Sequence, residues 1–184
     1  MRDDEQSITP ATFASRNSLK VFYVFAGHRR RADIREHLEN LAEQFHYTLE
    51  MHEFDLLRGE DQDVLDIDFW TSLVDRVRKD PPFCIIATPP CSTYSRARHF
   101  YKESPGPRPI RSRQFPLGFP WLSTSNRQKA EEGTALACKM WEIFDIAREI
   151  GSHFLGGFPE DLGADIDRCP RLHLADGCFL FIVG

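Results

Sequence analysis

Five cysteines in a chain of 184 residues form no CxxC pair, and none of the seven histidines stands in an HExxH or comparable ligand pair. Zinc centres need such spacings, so no metal site is expected. An odd cysteine count and the lack of a signal-peptide pattern point to a reducing, intracellular setting rather than a disulfide scaffold. No apolar run approaches the roughly 20 residues that span a bilayer, so no membrane segment is expected. Excess positive charge is lacking too: the net charge is −5, so the chain as a whole is not a polycation built to neutralise phosphates. What is present is ordinary for a folded chain, 41% hydrophobic and 28% charged. That composition excludes disorder as a general description and suits one domain with a single core.

The basic residues are nevertheless clustered, in "HRRR" (28–31), "RARH" (96–99) and "RPIRSR" (108–113). Acidic residues concentrate elsewhere, at Asp3 to Glu5 and in "EDQDVLDID" (60–68). A local positive face on an acidic body is one reading; arginines solvated on loops are the other.

Residues 1–17 are polar, aperiodic and contain Pro10, which reads as a flexible N-terminal arm. "LKVFYVFAG" (19–27) is a continuous apolar run ending in glycine, the pattern of a buried parallel strand. A helix follows, with Ile34, Leu38, Leu41, Ala42 and Phe45 at helical spacing. "YTLEMHEFDLL" (47–57) alternates as a second strand. "DIDFWTSLVDRVRKD" begins with an acidic first turn and sets Phe69, Leu73, Val74 and Val77 on one helical face. "PFCIIAT" (82–88) is a third strand, closed by Pro89-Pro90.

Residues 99–126 hold five of the twelve prolines and show no period; loops of this length are functional or disordered. The longest helix is expected over 126–151, with Ala135, Cys138, Ile143, Ile146 and Ala147 among its apolar positions. "HFLGGF" (153–158) and "GCFLFIVG" (177–184) are further strand candidates. Strands alternating with helices imply an α/β domain on a mainly parallel sheet, whose ligands sit outside the carboxyl ends of the strands. Gly27, Asp55 and Pro89 to Cys91 all fall at such ends and should share one edge.

Cys91 follows two prolines that restrict the backbone, and a helix N-terminus or Arg96 and Arg98 nearby would favour its thiolate. The pattern leaves open a nucleophile or a buried small residue, since free cysteine is often buried. A tyrosine-phosphatase-type loop needs arginine six positions after cysteine; that position is Ala97, and the loop glycine is missing. Asp55 stands where nucleotide-binding α/β domains hold ribose hydroxyls, or caps locally. Asp63 and Asp66 are candidates for an adenine amino group, with helix capping the stronger reading of Asp66. "FAGHRRRAD" has one glycine after the strand and no GxG, a poor phosphate loop. Trp121, Phe115 and Phe119 suit stacking on bases, but a loop-anchoring apolar cluster is the better reading.

At "PPCSTYSRAR" the sequence resembles the catalytic loop of the cytosine-5 DNA methyltransferases and of their short, divergent relatives from mobile elements. "VFYVFAG" resembles the first strand and phenylalanine-containing cofactor turn of that family, and "GGFPEDLG" an "ENPEDLG"-like segment of the divergent relatives. The likeness covers roughly residues 19 to 165. It implies a Rossmann-like three-layer sandwich over residues 18–184, with no target-recognition domain. It further implies S-adenosylmethionine as cofactor and nucleic acid, DNA by the family, as the partner of the basic loops. Cys91 would attack C6 of a flipped cytosine, and Arg96 and Arg98 would bind phosphate or substrate. Phe25, Gly27, Asp55, Asp66 and Pro89 would line the cofactor site.

Three departures accompany the resemblance. Gly157 and Phe158 replace the glutamate and asparagine of "ENP", and Glu160 is displaced by three residues. "HRRR" replaces the later glycine of the cofactor turn. The chain stops on an apolar strand, which favours truncation. The expectation is therefore a methyltransferase-like protein with impaired catalysis, or a non-catalytic nucleic-acid-binding module on the same fold.

Overall fold

The structure, a computed structural model, describes residues 18–95, 98, 108–112 and 114–157. The expected arm (1–17), the expected last strand (177–184), Arg96, Phe158 and Glu160 lie outside the described residues. Four strands, β1 (Ser18–Val24), β2 (Thr48–Phe54), β3 (Cys84–Ala87) and β4 (His153–Gly156), form one parallel sheet in the order β2-β1-β3-β4. Among the described residues three helices connect them: α1 (Ile34–Gln44), α2 (Ile67–Lys79) and α3 (Thr124–Glu149). This is an α/β fold of the Rossmann-like kind, as the alternating patterns predicted, with strands shorter than the apolar runs.

The continuous run in β1 follows from burial on both faces. Phe22 and Val24 pack with Phe54, Ile85 and Ala87 beneath Trp70, Leu73, Val77, Met140 and Ile143 of α2 and α3. Val21 and Tyr23 pack with Met51 and Ile86 on the opposite face, against Ile34 and Leu38 of α1. β2 is an edge strand and is less covered: Met51 is buried on the α1 face and Phe54 on the opposite one, while Thr48 and Glu50 are exposed.

Side-chain caps start each helix. Asp33 accepts from Glu36 N–H, Asp66 from Asp68 and Phe69 N–H, and Ser123 from Asn126 N–H. Trp70 Nε1 donates to Glu142 Oε1 at 2.8 Å, tying α2 to α3.

Two helical faces differ from expectation. Leu41 and Phe45 continue the apolar spacing of α1 yet are exposed. α1 lies over the edge pair β1 and β2, and the flank of its stripe runs past the sheet. In α3, Cys138 is exposed and Ala135 only half-buried, because Ala137, Met140, Phe144 and Ala147 take the sheet-facing positions.

From β1 the chain steps to β2 on one side, then crosses back through α2 to β3 on the other. With right-handed crossovers, that reversal puts α1 on one face and α2 and α3 on the opposite one. The carboxyl ends of β1 and β3 flank the point of reversal, where open α/β sheets form their ligand crevice.

Candidate functional site

At that edge β1 ends in a left-handed turn. Phe25 has φ 64° and Gly27 φ 65°. A left-handed phenylalanine costs about 1–2 kcal/mol. Burying one core side chain of the size of Phe22 or Ile85 contributes about 1.5–3 kcal/mol, so the adjacent core sustains the strain. The turn is also pinned: Phe25 and Ala26 N–H both donate to Phe54 O, at 2.9 and 3.2 Å. Asp55, the residue after β2, accepts from Gly27 N–H through Oδ2 at 2.8 Å and from Leu57 N–H through Oδ1 at 2.8 Å. It thus bridges the ends of the first two strands rather than standing solvated. The nearest atom to an ideal Cβ on Gly27 is Arg30 Nη2, at 4.0 Å. Backbone φ, not crowding, is what calls for glycine there.

Thr88 joins the third strand to the same turn. Its N–H donates to Val24 O at 3.3 Å, its hydroxyl to Phe25 O at 3.3 Å, and Tyr23 Oη lies 3.0 Å from that hydroxyl. Pro89 beside it is buried and Pro90 exposed. Cys91 O then accepts from Tyr94 N–H at 2.9 Å and Ser95 N–H at 3.0 Å, forming a tight turn. Cys91 itself is an exposed free thiol. The reading of it as a buried small residue is therefore excluded. Phe25, Gly27, Asp55, Pro89 and Cys91 do share one edge.

Two arginines near this edge bond to backbone carbonyls. Arg98 donates from Nε to Ser92 O and from Nη1 to Arg108 O at 3.1 Å, bracing the Cys91 turn from within. Arg111, in the basic "RPIRSR" cluster, is 3% exposed. Its guanidinium donates to Pro116 O at 2.6 Å, to Thr134 Oγ1 at 3.0 Å and to Ala130 O, and it lies 4.0 Å from the Tyr94 ring centroid. Burial lowers its pKa from the usual arginine value. Thr93, also buried, approaches α3 where Gly133 has no side chain; a Cβ there would stand 2.6 Å from Thr93 Oγ1. Arg111 and Thr93 thus dock the Cys91 turn on α3.

A second device holds the loops that follow β1 and β2. Glu53 accepts from Arg35 at 2.7 Å and Arg58 at 3.1 Å, with Arg29 at 3.7 Å, and its side chain is 7% exposed. Arg29 also pairs with Asp33 at 3.2 Å, and Arg35 with Glu39 at 2.7 Å. Three arginines therefore meet three carboxylates, and Arg29 is the member of the "HRRR" run that takes part. Asp66 spends Oδ1 on the α2 cap and Asp63 its Oδ1 on Leu65 N–H at 2.9 Å.

Where the resemblance would place a glutamate, Gly157 N–H donates to Ala87 O at 3.1 Å. A Cβ at Gly157 would sit 2.9 Å from Thr88 Cγ2, and one at Gly156 2.7 Å from Phe144 Cε2. The end of β4 is thus closely packed as glycine.

Sequence reasoning missed Thr88, Glu53 and Arg111. Glu53 carried a signal: it shares the strand face of Leu49 and Met51, where a lone charge calls for a partner. Arg111 carried none.

Comparison of the chain with protein-family models, with curated proteins and with solved structures finds no match. Among the described residues no group of three metal-ligating side chains occurs, and no helix is long and apolar enough to cross a membrane.

Proposed function

We propose that the chain is a divergent, S-adenosylmethionine-dependent cytosine-5 DNA methyltransferase-like protein, with catalysis impaired. One observation carries the reading: the Asp55 carboxylate bonded to Gly27 N–H stands at the sheet's point of reversal, with the exposed thiol of Cys91 on the next strand end. Each Asp55 oxygen receives one backbone N–H, which leaves lone pairs suited to ribose hydroxyls. Open space before Gly27 fits the approach of a nucleoside.

When bound, that cofactor supplies the methyl group. Cys91 is the nucleophile for C6 of cytosine; its addition makes C5 electron-rich, and its departure after loss of the C5 proton restores the ring. Arg98, through the Ser92 carbonyl, positions the Cys91 turn. The partner is intracellular nucleic acid, met by the exposed basic loop residues.

Gly157 supports impaired rather than full activity, because no carboxylate stands there to assist at N3. The same observation favours the second reading, a nucleic-acid-binding module that retains the fold without turnover. Calorimetric titration with S-adenosylhomocysteine tests the first reading. Its neutral sulfur is the better probe where Arg30 brings a cation to the turn. Saturable binding, weakened at least tenfold in Asp55→Asn with melting little changed, is the expected result. No heat from folded protein would remove the methyltransferase reading and leave the binding module.

A further inference from the structure

The loop between β3 and α3 ends in three aromatic rings. Phe119 and Trp121 stack with centroids 5.1 Å apart and planes 9° from parallel. Phe115 meets both edge-on, at 5.9 and 5.6 Å. Such a trio, anchoring a loop, would be expected to bury its largest ring. Here Trp121 is 71% exposed and Leu117 beside it 70%. Phe115 and Phe119 are half-buried and act as the support.

The surroundings are cationic at close range. Arg127 donates to Pro120 O at 3.0 Å, and Lys129 is exposed two residues further along α3. The first turn of α3 carries no acidic residue, so its N-terminal dipole is not neutralised there. Glu131 shares a cleft with Arg127 and offsets one of these charges. The platform is also tied to the candidate site: Arg111 donates to Pro116 O in this loop and lies over Tyr94 of the Cys91 turn.

We infer that the Phe119–Trp121 pair is a stacking platform for bases of single-stranded nucleic acid, with Arg127 meeting the backbone phosphates. A flat exposed ring beside cations is the arrangement by which proteins hold single strands without reading sequence. Charge complementarity selects this occupant over an apolar protein surface. The inference rests on and deepens the nucleic-acid part of the proposed function.

The test uses the full chain and a fluorescently labelled single-stranded oligonucleotide of about a dozen thymidines, with an abasic strand of equal length as control. Trp121→Ala should weaken binding roughly five- to hundredfold, the range for losing one stacked base, while Trp121→Phe retains most of it. The wild type should discriminate against the abasic strand and Trp121→Ala should not. Arg127→Ala should flatten the salt dependence instead. Equal binding of both strands by the wild type, or no effect of Trp121→Ala, overturns the inference. So does a wild-type dimer that Trp121→Ala converts to monomer with oligonucleotide affinity unchanged, which would make the patch a self-association face. Homocysteine-nucleoside titration of Trp121→Ala separates the two ideas. Failure of the platform leaves cofactor heat intact, whereas failure of the methyltransferase reading removes that heat and leaves base-sensitive binding.

Discussion

Replacing Gly157 by alanine sets two opposed effects against each other. Gly157 has no left-handed φ, so alanine would ordinarily stabilise by about 0.4–1 kcal/mol through a less flexible unfolded chain. In the fold, however, the new Cβ would stand 2.9 Å from Thr88 Cγ2. Thr88 is not free to yield, since its hydroxyl is held by Phe25 O and Tyr23 Oη. Overpacking of this kind costs about 1–3 kcal/mol, so the clash wins and Gly157→Ala should destabilise by about 1–2 kcal/mol. For a chain of this size that lowers Tm by roughly 4 °C.

Thr88→Ser keeps the hydroxyl and deletes the methyl that clashes. In the Thr88→Ser background the cost of Gly157→Ala should vanish, giving a coupling of about 1–2 kcal/mol in a double-mutant cycle followed by urea denaturation. An equal cost in both backgrounds would refute the reasoning, as would stabilisation by Gly157→Ala alone. Gly156→Ala is the internal control. It would meet Phe144, and its cost should not respond to Thr88→Ser.

Asp66→Ala removes two cap bonds at the start of α2 and should cost about 1 kcal/mol in chemical denaturation without changing cofactor heat. A loss of that heat at unchanged stability would instead place Asp66 against the cofactor. The thiol of Cys84 is pushed up to about 11 by burial, from 9.0. The folded state therefore holds its proton more tightly than the unfolded chain, and this contribution to stability is full below pH 9 and lost as pH rises through about 11. Cys84→Ala should flatten that alkaline decline. Iodoacetamide at neutral pH should label Cys91 and Cys138, both exposed, and leave Cys84 unmodified; faster labelling of Cys91 than Cys138 would mark it as activated. Glu53→Gln leaves Arg29, Arg35 and Arg58 sharing a weaker acceptor. It should weaken S-adenosylhomocysteine binding more than it lowers Tm, because both loops it holds border the candidate site.

Patterns set by burial were readable in the sequence. β1 shows as the apolar run from Val21 because both its faces are covered there, and β2 as a more polar strand because it is an edge. The convergence of Gly27, Asp55 and Cys91 followed from parallel strands having their carboxyl ends together. What escaped was set by long-range pairing. Leu41 and Phe45 fit a helical stripe, but spacing says nothing about how far the sheet extends beneath it. Arg111 looked like any loop arginine, and only the backbone carbonyls of Pro116 and Ala130, brought together by the fold, make it internal. Exposure of Trp121 was equally out of reach, since the same three rings could have closed on themselves.

Those long-range contacts bear on why catalysis and binding could part company on this fold. Everything that would hold a nucleoside on the β1 side is pinned twice: the turn by Phe54 O and Asp55, the loops by Glu53 and its arginines. The Cys91 turn is likewise docked, through Arg98 and Arg111. The position that differs chemically is Gly157, and there the packing has closed around the absence of a side chain, with Thr88 in contact distance. A carboxylate cannot return by a single substitution without displacing Thr88, and Thr88 anchors the very turn that presents Gly27. On the proposed reading, the missing acid is thus coupled to the stability of the candidate edge. A chain selected for binding would keep the glycine, whereas one selected for turnover would need compensating changes at both positions.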